Sequence, residues 1–201
     1  MDKASRKRTE IMDAAYRVFS EKGYHSTRIE DIALETGMAQ GLFYRYFENK
    51  LDVFSQIIDR IISRITAGVM ADAPGTSNTI EEYTAQLTRA VENLFEIFVE
   101  DPFISKLLFY KALSIDDEIN RKLQGALDLF ADYSSFYIED GIAKGFLRPD
   151  LEIREMAYAF NALVFEGARR IMLSKNKKQA KRTWTKAIVD LMIHGTAERK
   201  P

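Results

Sequence analysis

The sequence predicts an all-α protein: an N-terminal three-helix helix-turn-helix domain, then a larger helical domain. Three observations carry this prediction. Apolar residues recur at helical spacing along most of the chain. The four prolines, Pro74, Pro102, Pro149 and Pro201, fall between those runs or in their first turn, where a missing N–H does no harm. No Asn-Gly or Asp-Gly hairpin turn separates alternating segments, because Asp140-Gly141 lies inside a helical pattern.

The first helix is marked by Ile11, Ala14, Ala15, Val18 and Phe19, one buried stripe, and stops at Lys22-Gly23. A second opens at Thr27-Arg28-Ile29-Glu30, read as a capping box in which Thr27 caps and Glu30 reaches back. Ile29, Ile32 and Ala33 face inward and Gly37 closes it. A third short helix runs from about Ala39 to Tyr46. Asn49 caps a fourth, whose stripe is Leu51, Phe54, Ile57, Ile58, Ile61 and Ile65. Pro74-Gly75-Thr76-Ser77-Asn78 is the clearest loop. Beyond it, helices are expected near 79–100, 102–113, 116–144, 151–174 and 177–196. Their caps are Asn78 or Thr79, Asp101-Pro102, Ser114, Asp150 and Asn176.

Composition narrows the function. Apolar residues are 46% of 201 and charged residues 29%, the balance of a soluble globular chain. No apolar stretch approaches the roughly 18 residues of a membrane span, and the basic N-terminus leads into no signal region. The chain is therefore expected in the cytoplasm, away from membranes. With no cysteine and only His25 and His194, metal and thiolate chemistry are not expected, and neither is a cofactor. No nucleophile elbow, phosphate loop, dinucleotide fingerprint or His-Glu-x-x-His occurs, which argues against an enzyme. Net charge is −1, so this is no blanket polyanion binder, although Lys3, Arg6, Lys7 and Arg8 form a local basic arm.

Two helices of about eight residues joined through glycine outline a helix-turn-helix. The second must bury one side and offer the other to a major groove. Met38, Phe43 and Phe47 supply the buried side; Gln40, Gly41, Tyr44 and Arg45 lie on other faces. The outline alone suits a plain helical hairpin equally well.

The detailed sequence adds a resemblance. Ile11–Phe19, then Glu21-Lys22-Gly23-Tyr24, Thr27–Ala33, Gly37 and Gly41–Lys50 resemble the N-terminal domain of the TetR (tetracycline-repressor) family in order and spacing. The resemblance implies a homodimeric, ligand-controlled transcriptional regulator, usually a repressor. Its DNA-binding domain would be residues 1–50, continuing into the next helix, with residues 51–201 for ligand binding and dimerisation. It implies DNA-backbone contacts from Thr27, Tyr44 and Lys50, in a double-stranded operator contact set of Thr27, Arg28, Ala39, Gln40, Gly41, Leu42, Tyr44, Arg45, Tyr46 and Lys50. A helix N-terminus favours phosphate near Thr27 and Lys50. Gln40 is the best base reader, since an amide can pair with adenine N6 and N7. Arg45 suits guanine or phosphate, and Leu42 a thymine methyl.

Residues 95–165 hold nine Phe and four Tyr. A filled helical core accounts for every ring; the resemblance adds a chamber for a small, mainly apolar or aromatic effector. The candidates are Phe98, Phe109, Tyr110, Phe130, Tyr133, Tyr137, Tyr158 and Asn161. Dimerisation is expected on the last two helices, through Ala159, Leu163 and Gly167 on one and Trp184, Ala187, Ile188 and Leu191 on the other. A helical interaction module that never touches DNA is the alternative.

Overall fold

The computed structural model describes residues 2–71, 75–101, 103–104 and 116–196. The described residues are helical apart from turns and loops, with α1 (Lys3–Lys22), α2 (Ile29–Glu35), α3 (Gln40–Phe43), α4 (Lys50–Val69) and α5 (Ile80–Glu100), then α6 (Asp117–Ala143), α7 (Ile153–Leu173) and α8 (Lys177–Thr196). The chain separates into two compact units. One comprises residues 1–63 with 111–122, the other 64–110 with 123–201.

In the first unit, the α1 stripe of Ile11, Ala14, Ala15, Val18 and Phe19 is buried. It packs with Ile32 and Ala33 of α2, Phe43 and Phe47, and the α4 residues Val53, Phe54, Ile57, Ile58 and Ile61. Phe19 meets the Phe54 ring edge-on at 5.2 Å, and Tyr24 lies 4.7 Å from Phe54. The basic arm is the first turns of α1, and its cations are not all free. Arg8 donates to Gln56 Oε1 and to the Tyr46 carbonyl, and lies 4.5 Å over the Phe47 ring. Lys7 pairs with Glu10 at 2.7 Å.

The α2 cap differs from the sequence reading. Thr27 is buried, its hydroxyl donates back to the Gly23 carbonyl at 2.8 Å, and it stands one residue before the N-cap of the new helix. Arg28 is the extended N-cap residue, and Asp31, not Glu30, accepts from its N–H at 2.8 Å. Lys22 donates to the same carboxylate, and these two bonds hold it below the usual carboxylate range. At the other end Gly37 adopts φ 65°, and the N–H groups of Gly37 and Met38 close on Leu34 and Ala33. That left-handed turn needs a residue without Cβ.

The third helix is shorter than the expected run to Tyr46. After Phe43 the backbone closes by three-residue steps, Arg45 to Leu42 and Tyr46 to Phe43, which ends α3 in tight turns. Met38 is half-buried, while Phe43 and Phe47 reach the core. Asn49 caps α4 as expected, accepting from the Asp52 N–H at 2.9 Å.

In the second unit α7 packs on α8 and both pack on α5. Thr79 caps α5 and accepts from Glu82 N at 3.2 Å. Asn176 caps α8 by accepting from Gln179 N at 3.0 Å. The α7 cap is Glu152, not Asp150, whose carboxylate faces Arg148 at 3.4 Å. Of the helix expected over 102–113, Phe103 and Ile104 are helical and buried. The rest of that segment, with the expected cap Ser114, lies outside the described residues.

Gly167 on α7 allows a close approach. A Cβ there would stand 2.8 Å from Phe95 Cζ and 3.2 Å from Ile188 Cδ1. Gly167 and Ile188 were expected at a dimer surface. Both are instead buried within the chain, where α5, α7 and α8 meet.

Candidate nucleic-acid interface and ligand cavity

The helix-turn-helix of the first unit presents a continuous set of exposed side chains. Arg28 at the start of α2 is exposed, as are Ala39, Gln40, Gly41, Tyr44 and Arg45 in and after α3. Tyr44 is 53% exposed although its ring meets Phe43 edge-on, so its hydroxyl stands clear of the core. Leu42 and Tyr46 are half-buried. An exposed phenol and two exposed guanidinium groups can donate to phosphate oxygens, and an exposed amide can read a base edge.

Two of the expected backbone contacts are occupied internally. The Thr27 hydroxyl is turned inward, as described above. Lys50 donates to the carbonyls of Tyr24 and Thr27, each at 2.8 Å, and its ammonium lies 4.4 Å over the Tyr24 ring. Partial burial lowers its pKa from the ordinary lysine value. Lys50 therefore ties the start of α4 to the segment before α2. Burial, reinforced by the negative charge of Asp116, raises the Tyr24 phenol.

The sequence reading missed Glu30 and Leu34. Glu30 accepts from the Gln40 side-chain amide at 2.9 Å, which fixes how Gln40 is turned. Leu34 is 82% exposed on α2, an apolar residue in a position that buries nothing within the chain. Leu34 gave no signal, because Leu in an amphipathic helix reads as core.

The second unit contains a cavity of about 60 Å³. Leu87, Val91, Leu94, Phe130, Val164 and Phe165 form much of its wall, with Tyr83, Tyr133, Tyr137 and Asn161 among them. Among the described residues, no Lys, Arg, His, Asp or Glu lines it. Of the expected effector residues, Phe130, Tyr133, Tyr137 and Asn161 are brought together there. Phe98 and Tyr158 are not. Phe98 is fully buried and packs edge-on against Phe165 at 6.3 Å, outside the wall. Tyr158 is 40% exposed, donates to Asp128 at 2.7 Å and accepts from Arg154. Phe109 and Tyr110 lie outside the described residues.

Most wall residues missed by sequence are aliphatic, although Tyr83, Phe160, Phe165, Ser134 and Thr196 were missed as well. Leu87, Val91 and Leu94 come from α5, and Met192 and Ile193 from α8, where ring density gave no clue. The Tyr83 hydroxyl donates to the Tyr137 carbonyl at 2.9 Å, and burial raises its pKa well above the ordinary phenol value. Ser134 donates to Asn161 Oδ1 at 2.9 Å, and Thr196 to the Met192 carbonyl.

Ala159, Ala187 and Leu191, expected at a dimer surface, are exposed, Leu191 by 58%. Leu163 and Trp184 are half-buried. Among the described residues no group of three or more potential ligand side chains could hold a metal ion, and no helix is long and apolar enough to cross a membrane.

Comparison with known proteins bears on both units. The family model described as bacterial regulatory proteins, tetR family, matches residues 11–57. The fatty acid metabolism regulator protein of Bacillus subtilis is 25% identical over 149 residues, covering 72% of this chain and 73% of that protein. YdgC, a helix-turn-helix transcriptional regulator of the same organism, is 29% identical over 106 residues, 53% of each chain. Among solved structures, the Bacillus subtilis regulator FadR in complex with stearoyl-CoA shares the fold, with a TM-score of 0.72 at 20% identity. That match covers 93% of this chain and 98% of FadR. These relatives are regulators, not enzymes.

Proposed function

The chain belongs, through its N-terminal domain, to the TetR family of bacterial transcriptional regulators, and from that premise we propose that it is a homodimeric repressor. It binds a near-palindromic operator through the first unit and is released when a small, mainly apolar or aromatic effector fills the cavity of the second. The observation that carries the reading is the exposed set of Arg28 at the start of α2 and Gln40, Tyr44 and Arg45 in and after α3, within the segment that matches the family. Thr27 and Lys50 support that surface from beneath.

The cavity's uncharged wall supports an apolar effector. The FadR complex with stearoyl-CoA puts acyl compounds first among those to try. Dimerisation falls to exposed Ala159, Ala187 and Leu191 with half-buried Leu163 and Trp184, where apolar surface on α7 and α8 lacks cover within the chain. Two-fold symmetry then requires half-sites about one helical turn apart. Effector and operator must weaken each other's binding by the same factor.

Selection from a random duplex library, with Tyr44→Ala in parallel, tests this. Enrichment of a palindrome by the wild-type protein alone supports a dimeric operator binder. The same absence of enrichment for both, from protein shown to be free of ligand, would leave the helical interaction module as the better reading. Sedimentation of a monomer at micromolar concentration would remove the dimer.

A further inference from the structure

We propose that the effector carries a neutral carbonyl that accepts a hydrogen bond from the side-chain amide of Asn161. The protein would then recognise acyl esters, thioesters, amides or ketones and discriminate against free carboxylates of the same chain length. The inference rests on reading the cavity as the effector site.

Asn161 is the anomaly of this cavity. It stands on α7 in a wall made mostly of aliphatic and aromatic carbon. Its Oδ1 accepts from Ser134, but its Nδ2 is shut off from solvent and has no partner. The Tyr83 and Thr196 hydroxyls, by contrast, are spent on backbone carbonyls. An amide left without an acceptor in apolar surroundings loses its hydration and gains nothing in return, which a leucine of similar volume would avoid. In the wall of a cavity, an acceptor on a bound molecule can complete the pairing.

Polarity settles what that group is. Ser134 occupies the amide oxygen, so the unmet need is for an acceptor, not a donor. Among the described residues the wall has no cation. A carboxylate here would have its charge desolvated with no countercharge, whereas a carbonyl asks only for the hydrogen bond. A chain-like ligand with one carbonyl meets both conditions.

The test uses the full chain and a matched pair of volatile probes, 2-octanone and 2-methyl-1-octene, in which a methylene replaces the carbonyl oxygen. Headspace gas chromatography reads the free concentration of each. The ratio of ketone to alkene affinity is compared between wild type and Asn161→Leu, which cancels the difference in hydrophobicity of the two probes. The ratio should fall about tenfold in the variant. Ser134→Ala, which frees the amide to turn, should lower it by less and serves if Asn161→Leu does not fold. Methyl octanoate should displace 2-octanone from the wild-type protein at least tenfold more effectively than octanoate at pH 8.

An unchanged ratio, with both probes bound, would overturn the carbonyl anchor and leave the cavity reading intact. Octanoate competing as well as its ester would overturn the preference for a neutral group. Binding of neither probe to any of the proteins would overturn the cavity reading and the anchor with it.

Discussion

The Lys50 ammonium donates to the Thr27 carbonyl at 2.8 Å, and so joins two of the three positions expected to contact the DNA backbone into one internal brace. The Thr27 hydroxyl donates in turn to Gly23, and Lys50 donates also to Tyr24. The pair ties the start of α4 to the segment before α2, and the side chains proposed to contact DNA stand at the start of α2 and in and after α3.

Lys50→Met should therefore act first on stability. Losing the ammonium leaves two partly buried carbonyls without a charged donor, at a cost of about 1–3 kcal/mol. Thr27→Val keeps the shape and should cost about 1 kcal/mol. Denaturant unfolding reads both. The dependence of DNA affinity on salt separates this from direct contact: a phosphate ligand would reduce the log–log slope by about 0.9 on removal, a brace would leave it unchanged.

Gln40 donates to Glu30 at 2.9 Å, a bond that uses its amide N–H and not its carbonyl oxygen. Gln40→Ala should cost about 1–3 kcal/mol at one base position and little at the others. Glu30→Ala frees the amide to turn and should relax the preference at that same position. Binding-site selection with the two variants checks this; an equal loss on all sequences would assign Gln40 to the backbone instead.

Gly167→Ala should destabilise the protein by about 1–3 kcal/mol, because the new methyl presses on Phe95 and Ile188 in a packed interior. The loss should be independent of protein concentration. A loss that grows on dilution would return Gly167 to a surface between copies.

Tyr83 gives a pH prediction. Its folded pKa is raised by burial and then by Asp140, whereas the unfolded phenol titrates near the ordinary value of 10. Stability held by the neutral phenol is fully present below pH 10 and is lost as pH rises from there toward the folded value. Thermal unfolding should show a decline above pH 10 that is shallower in Tyr83→Phe. At neutral pH that variant should be weaker by about 1 kcal/mol for the lost bond to Tyr137.

The sequence by itself determined the helices and the family. The α1 stripe, the Asn49, Thr79 and Asn176 caps and the Gly37 turn are local, since each depends on residues within one or two turns of chain. The tertiary structure decided where side chains turn. Thr27 has the chemistry of a cap but stands one residue before the N-cap, and packing buries it and gives its hydroxyl to Gly23. Gly167 and Ile188 share the small and apolar spacing of an interface, and only the approach of Phe95 from α5 makes them core. Of the aromatic candidates, Phe130, Tyr133 and Tyr137 line the cavity, while Phe98 and Tyr158 do not. Helical periodicity says that a residue lies on a face; which neighbour covers that face depends on residues far along the chain, and a single sequence holds no record of that pairing.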